Sequence, residues 1–223
     1  MNLHTIGVCC MLEEEIRDAF YNIENNHKER SPKEIYVTEV LWCPRKAYFN
    51  YVFNARPRRN LAMVLGTIYH GAIQKLPFWE GKSARFETGT FRYEYRGFYI
   101  TGRPDVITED PKAIWEFKFP YKVGNEATKP KYLMQLNTYL TVLDYDLGYL
   151  VEVEFSWKDK DIVVAVTEQN RDDKLFHEFL KRADVIIDAI ENQKIPPKTE
   201  LSWECKDCPY KIICDMFDNE EKG

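Results

Sequence analysis

The chain has 223 residues, 44% hydrophobic and 30% charged, with a formal net charge of −5. That length and balance suit one globular domain with a sizeable core. They leave no run of about 18 apolar residues that could cross a membrane. The acidic total argues against nucleic acid as a partner, but the charge is uneven. Between Val40 and Trp79 there is no Asp or Glu, while Arg45, Lys46, Arg56, Arg58, Arg59 and Lys75 all fall there. Such a stretch can contact phosphates even on an acidic protein.

The N-terminus, MNLHTIGVCCMLEEEIRDAF, lacks a basic n-region and turns acidic quickly, so no signal peptide is expected and the expected location is cytoplasmic. Residues 11–29 predict a charged amphipathic helix, broken at Ser31-Pro32. The stretch from Ile35 to Tyr51 mixes aromatic, aliphatic and basic residues and predicts helix beyond Pro44. A basic loop, Asn54 to Asn60, leads to a helix over Leu61 to Leu76, stopped by Pro77. Arg85 to Ile100 alternates and predicts a strand pair turning at Arg96-Gly97. Ile100 to Thr108 and Ala113 to Phe119 predict two more strands around Glu109-Asp110-Pro111. A helix is expected over Lys131 to Leu143. A hairpin is expected from Gly148 to Trp157 and Asp161 to Val166, and a long amphipathic helix over Asp172 to Asn192. Ile195-Pro196-Pro197 ends that helix, and a Cys-rich tail follows. The order predicts an α/β fold with a mixed sheet flanked by helices. It is expected as one domain over 1–223, with an N-terminal helical segment (1–60), a core (61–194) and a tail (195–223).

The chemistry-bearing residues concentrate in the middle. Glu116 and Lys118 alternate on one predicted strand and so share a face, with Phe117 turned to the core. Asp105 ends the preceding strand and can approach Glu116 across the turn. Two close carboxylates repel unless a cation lies between them, and hard oxygen ligands suit Mg²⁺ or Mn²⁺. Such an ion polarises a phosphoryl oxygen and activates water, while Lys118 places positive charge where the transition state gains negative charge. His70, on the helix before the sheet, adds an imidazole that favours Mn²⁺. Gln135 and Tyr139 are four apart and share one helical face.

In this order, Gly66…His70, Gly102-Arg103-Pro104-Asp105, Glu116-Phe117-Lys118 and Gln135…Tyr139 resemble the motifs of RecB-like PD-(D/E)xK nucleases. The resemblance implies a restriction-endonuclease-like fold. It implies a metal held by His70, Asp105, Glu116 and the backbone carbonyl of Phe117, with Lys118 catalytic alongside Asp105 and Glu116. Gln135 and Tyr139 would border the site and help place DNA, with Arg103 beside them.

Six cysteines in such a chain are not expected to form a disulfide framework. Cys205-x2-Cys208-x5-Cys214 is a compact ligand cluster that needs a fourth thiolate. Cys43, in Leu41-Trp42-Cys43-Pro44-Arg45, is the best candidate; Cys9 and Cys10 are the others. Four thiolates can hold zinc or an iron–sulfur cluster, and spacing does not choose between them. A ligand at position 43 and three beyond 205 would staple the chain ends across the core. With the nuclease motifs, this arrangement is similar to the CRISPR-associated exonucleases often called Cas-four. That resemblance covers Val37 to Cys214. It implies cleavage of single-stranded DNA, 5′ to 3′, in DNA processing for spacer acquisition. It also implies an iron–sulfur cluster, [4Fe–4S] more often than [2Fe–2S], and a partner integrase. Arg45, Arg56, Arg58 and Arg59 would line the path of the strand, with Tyr48, Phe49, Tyr51 and Phe53 available for base stacking. Alternatives are a RecB-type repair or replication nuclease, whose helicase would be another subunit because this chain has no P-loop, and a non-catalytic DNA-binding scaffold. The sequence leaves the oligomeric state open.

Overall fold

The computed structural model describes residues 15, 17–22, 30–54, 60–86, 89–156, 158–199, 201–206 and 208–220. Two compact units divide the chain, one formed by Met1–Glu29 and Pro57–Leu76, the other by Arg30–Arg56 and Pro77–Gly223. In the smaller unit, Glu15 and residues 17–21 are helical. The rest of the helix expected over 11–29 lies outside the described residues, as do Cys9, Cys10 and the arginines at 56, 58 and 59. A helix over Leu61–Ile73 is also in this unit, and the Asn60 side chain caps it by accepting from the Met63 N–H at 2.9 Å. This helix had been expected as part of the nuclease core.

The larger unit holds two sheets. The first has strands β1 (Glu34–Tyr36), β3 (Phe91–Tyr95) and β4 (Phe98–Gly102) in the order β1-β4-β3. The second has β2 (Arg85–Phe86), β5 (Val106–Glu109), β6 (Lys112–Lys118), β7 (Leu147–Ser156) and β8 (Asp161–Asn170), in that order across the sheet. All pairs in the second sheet are antiparallel except β6 and β7, which run parallel in the register Glu116↔Leu150 and Lys118↔Glu152. Parallel neighbours need a crossover. Here it is the helix α4 (Lys129–Leu143). Helix α1 is Val37–Val40, α2 Pro44–Phe53 and α3 the Leu61–Ile73 helix; α5 is Asp173–Glu191 and α6 Lys211–Glu220.

The mixed sheets flanked by helices match the expected class, but two sheets replace the single one expected, and Arg85–Phe86 pairs in the second sheet rather than with β4. A single strand was expected from Ile100 to Thr108. The chain instead leaves the first sheet at Gly102 and enters the second at Val106. Pro104, buried at the break, has no N–H to give to a ladder. This break separates Asp105 from regular pairing and aims it at the next strand.

The core lies between the sheets and the helices α4 and α5. Leu136, Tyr139 and Leu140 of α4 pack with Phe179, Ala183, Ile186 and Ile187 of α5 and with Ile100, Ile114 and Leu150 of the strands. A buried polar residue fixes the helix pair: Asn137 donates to the Asp172 carbonyl and accepts from the Asp172 N–H, both at 2.8 Å. Asp172 also caps α5 through the N–H groups of Lys174 and Leu175. On the other side, Arg182 of α5 donates to the carbonyls of Val40, Leu41 and Trp42, the orphan acceptors at the end of α1.

Candidate functional site

The hairpin β5–β6 and the helix α4 bring Asp105, Glu116, Lys118, Gln135 and Tyr139 together. Asp105 Oδ2 accepts the backbone N–H of Phe117 at 2.7 Å, so the carboxylate is oriented by the strand it faces. Glu116 is 2% exposed. Its Oε1 accepts from Lys118 Nζ at 2.6 Å and from Gln135 Nε2 at 2.8 Å. Gln135 also donates to the Tyr139 hydroxyl at 2.8 Å. The shared face expected of Glu116 and Lys118 and the shared helical face expected of Gln135 and Tyr139 therefore meet in one hydrogen-bonded chain.

The electrostatics follow from burial. Desolvation favours the neutral lysine, but the carboxylates of Glu116 and Asp105 outweigh it and hold the Lys118 pKa above its ordinary value. Burial, followed by the charge of Glu116, pushes the Tyr139 hydroxyl well above its ordinary range, so it stays a neutral phenol. Gly102 has a steric reason to be glycine. A Cβ there would stand 2.8 Å from Tyr139 Cε1 and 2.9 Å from the Phe91 ring.

Arg103 is exposed beside Asp105. His70 is half-buried in the last turn of α3, in the smaller unit. Glu152 was passed over in the sequence, where Val-Glu-Val-Glu reads as a strand with one solvated face. It is wholly buried, and neither carboxylate oxygen has a hydrogen-bond partner. The signal was available: a strand parallel to a central neighbour is covered on both faces, so an acidic residue there is not at a surface.

The second cluster of chemistry joins the chain ends. Cys43, Cys205, Cys208 and Cys214 line one cavity of about 440 Å³, together with Arg45, Lys198 and Thr199. All four thiols are free of disulfides. Burial, and then the presence of Cys43, Cys208 and Cys214, pushes the Cys205 thiol up. The Thr199 N–H points at Cys43 Sγ at 3.4 Å and Arg45 Nη1 at Cys214 Sγ at 3.3 Å. Among the described residues, no three of His, Cys, Asp and Glu come close enough to hold a single metal ion between them.

Arg45 is not where the sequence reading put it. Expected on the path of a DNA strand, it is 6% exposed. It donates to the Pro196 carbonyl at 2.9 Å and to Asp218 at 2.7 Å. A guanidinium turned inward onto a carboxylate of the tail has no phosphate to meet. Tyr48 and Phe49 are likewise core residues, packed with Tyr210, while Phe53 is exposed.

Residues 77–215 match the family described as the PD-(D/E)XK nuclease superfamily. The chain belongs to this superfamily. The matched span contains Asp105, Glu116, Lys118, Gln135, Tyr139 and the three tail cysteines; His70 and Cys43 lie before it. Several solved structures superpose on most of the chain. SSO0001 does so with a TM-score of 0.66 at 23% identity, over 91% of this chain and 96% of its own. LHK-Exo, an alkaline exonuclease from Laribacter hongkongensis, gives 0.52 at 17% identity, over 72% and 89%. A second LHK-Exo structure is a complex with dAMP. A phage-related exonuclease from Haemophilus somnus 129PT gives 0.50 at 16% identity, over 67% and 80%. These likenesses are likenesses of fold. No curated protein sequence matches the chain. No helix among the described residues is long and apolar enough to cross a membrane.

Proposed function

We propose that this chain is a metal-dependent nuclease of single-stranded DNA, acting as a 5′-to-3′ exonuclease that processes DNA for CRISPR spacer acquisition beside a partner integrase. The observation that carries the hydrolase reading is the joined set of Asp105, Glu116 and Lys118, locked by Gln135 and Tyr139. Two carboxylates on one hairpin, with an ammonium between strand and solvent, offer the hard oxygen donors that Mg²⁺ or Mn²⁺ takes. Asp105 and Glu116 would hold the ion, with His70 and the Phe117 carbonyl as further ligands. A cation so bound supplies Lewis acidity and a water of lowered pKa. Lys118 orients the attacking water and meets the charge that grows on the phosphoryl oxygens. Gln135 fixes the Glu116 carboxylate, and the Tyr139 hydroxyl accepts from the same amide and holds it in place. Arg103, exposed next to Asp105, contacts the phosphates of the strand, joined by Arg56, Arg58 and Arg59.

The exonuclease reading draws support from the similar structures described as exonucleases. An iron–sulfur cluster, [4Fe–4S] ahead of [2Fe–2S], is proposed for Cys43, Cys205, Cys208 and Cys214. Four free thiols around one cavity support it. The N–H groups aimed at Cys43 and Cys214 are of the kind that tune cluster sulfurs.

Single strands labelled at either end, and a circular strand, incubated with Mn²⁺ test the activity. The expected outcome is release of short products from the 5′ label and an intact circle. Cleavage of the circle, or no metal-dependent cleavage at all, would sink the exonuclease or the nuclease reading respectively. Anaerobically purified protein is expected to be brown with broad visible absorption; colourless protein carrying stoichiometric zinc would overturn the cluster.

A further inference from the structure

Glu152 of β7 stands in register with Lys118 on the parallel strand β6. Registered parallel partners turn their side chains to the same face. Glu152 therefore belongs to the face that carries Glu116 and Lys118 and that α4 covers. It is 0% exposed, with both oxygens lacking hydrogen-bond partners. A carboxylate in that condition weakens the fold, and an apolar residue would serve packing better. Its neighbours do not explain it. The registered partner on β8 is Ala165, and two residues along the same strand stands Leu150. Glu154, the next residue on that face, is engaged with the Val123 N–H at 3.0 Å.

A group that destabilises one state of a site points to its use in another state. Lys118 now donates to Glu116 at 2.6 Å, with its ammonium 5.3 Å from the Tyr132 ring. On the nuclease reading, Glu116 is also a ligand of a divalent cation. An ammonium and a divalent cation on one buried carboxylate repel each other strongly in a low-dielectric surround. The lysine stem is flexible enough to swing its charge to a neighbouring acceptor.

We propose that Glu152 is a positioning residue of the nuclease site: it receives the Lys118 ammonium when a divalent cation takes Glu116. Lys118 stays charged and within reach of the phosphodiester, and the cation's ligand is relieved of a competing positive charge. The inference rests on the nuclease reading, and the two can fail separately.

Mn²⁺ titration by calorimetry on the full chain tests it with five proteins: wild type, Asp105→Ala, Glu152→Gln, Lys118→Met and the Glu152→Gln/Lys118→Met double variant. Glu152→Gln is expected to weaken Mn²⁺ binding about tenfold when Lys118 is present. In the Lys118→Met background the same change is expected to leave affinity unaltered, because no ammonium needs a second acceptor. Equal affinity in wild type and Glu152→Gln, or equal loss in both backgrounds, overturns the proposal and leaves the nuclease reading standing. If wild type shows no Mn²⁺ binding that depends on Asp105, both fall. A second readout needs no metal. Metal-free Glu152→Leu is expected to melt above wild type, since an unbonded buried carboxylate is removed; a lower melting temperature marks Glu152 as structural and overturns the proposal.

Discussion

The two clusters of chemistry in the larger unit are built in opposite ways. The carboxylate–lysine set comes from 102–139, a short stretch of chain, and sits on regular elements: a hairpin, a parallel strand and one helix. Its polar groups bond to each other directly. The cysteine cavity draws residue 43 and residues 205–214 from distant parts of the chain. Its walls are a helix start, a single 3-10 turn over Ser202–Cys205 and the short helix α6. What holds those walls is a set of ion pairs: Arg45 of α2 and Lys131 of α4 reach the tail at Asp218 and Glu204, and Lys198 pairs with Asp218 within it. The first region is organised before any ligand arrives. The second joins chain ends with little core of its own, the situation in which a bound group contributes to folding as well as to chemistry.

That contrast can be broken from either side. The largest effect is expected at the preorganised set. Asp105→Ala and Lys118→Ala should each lower DNA cleavage by about a hundredfold or more while melting temperature and circular dichroism stay near wild type; full activity in either variant would remove the assignment. Next comes the clasp on the tail. Arg45→Met loses its bonds to Pro196, Cys214 and Asp218 and should destabilise the fold by about 2 kcal/mol in denaturant unfolding. Gly102→Ala works by steric pressure. Its new Cβ meets Tyr139 and Phe91, so a loss of about 1–3 kcal/mol is expected, along with reduced cleavage as Tyr139 shifts from Gln135.

The smallest effect is a dependence on acid. Lys198, and then Arg45, hold the Asp218 carboxyl down at about 2, against an ordinary value near 4. A carboxylate depressed in the folded state contributes stability that is complete above its unfolded pKa. That contribution drains as pH falls from about 4 towards 2. Melting temperature should be indifferent to this pair between pH 5 and 7 and decline below about pH 4. Asp218→Asn should flatten that part of the decline.

The same contrast decides what could be read from the sequence. Glu116 and Lys118, or Gln135 and Tyr139, are related by local period, and local period survives into the fold. The hairpin at Arg96-Gly97 was legible because both residues adopt positive φ, as a tight turn demands. Helix α5 was legible from its amphipathic apolar stripe, and the structure adds the Asp172 cap at its start. Arg45 was misread because its partner, Asp218, is 173 positions away, and no local pattern announces a long-range ion pair. Glu152 was passed over because its alternating neighbours read as a strand with one solvated face, although the helix between β6 and β7 marks a parallel pair whose faces are covered. The break at Arg103–Asp105 was hidden by a strand-like composition on both sides, although Pro104 was there to be weighed.

Lys131 carries one more consequence. Its ammonium lies 4.3 Å from the Trp42 ring and 5.8 Å from the Trp203 ring, and the two indoles meet edge to face at 5.8 Å. Trp42 belongs to the segment leading into Cys43, Trp203 to the turn leading into Cys205, and Lys131 to the helix that carries Gln135. The chain thus has its own optical gauge at the junction between tail and nuclease core. Emission from this indole pair would register whether the tail is docked without any added dye.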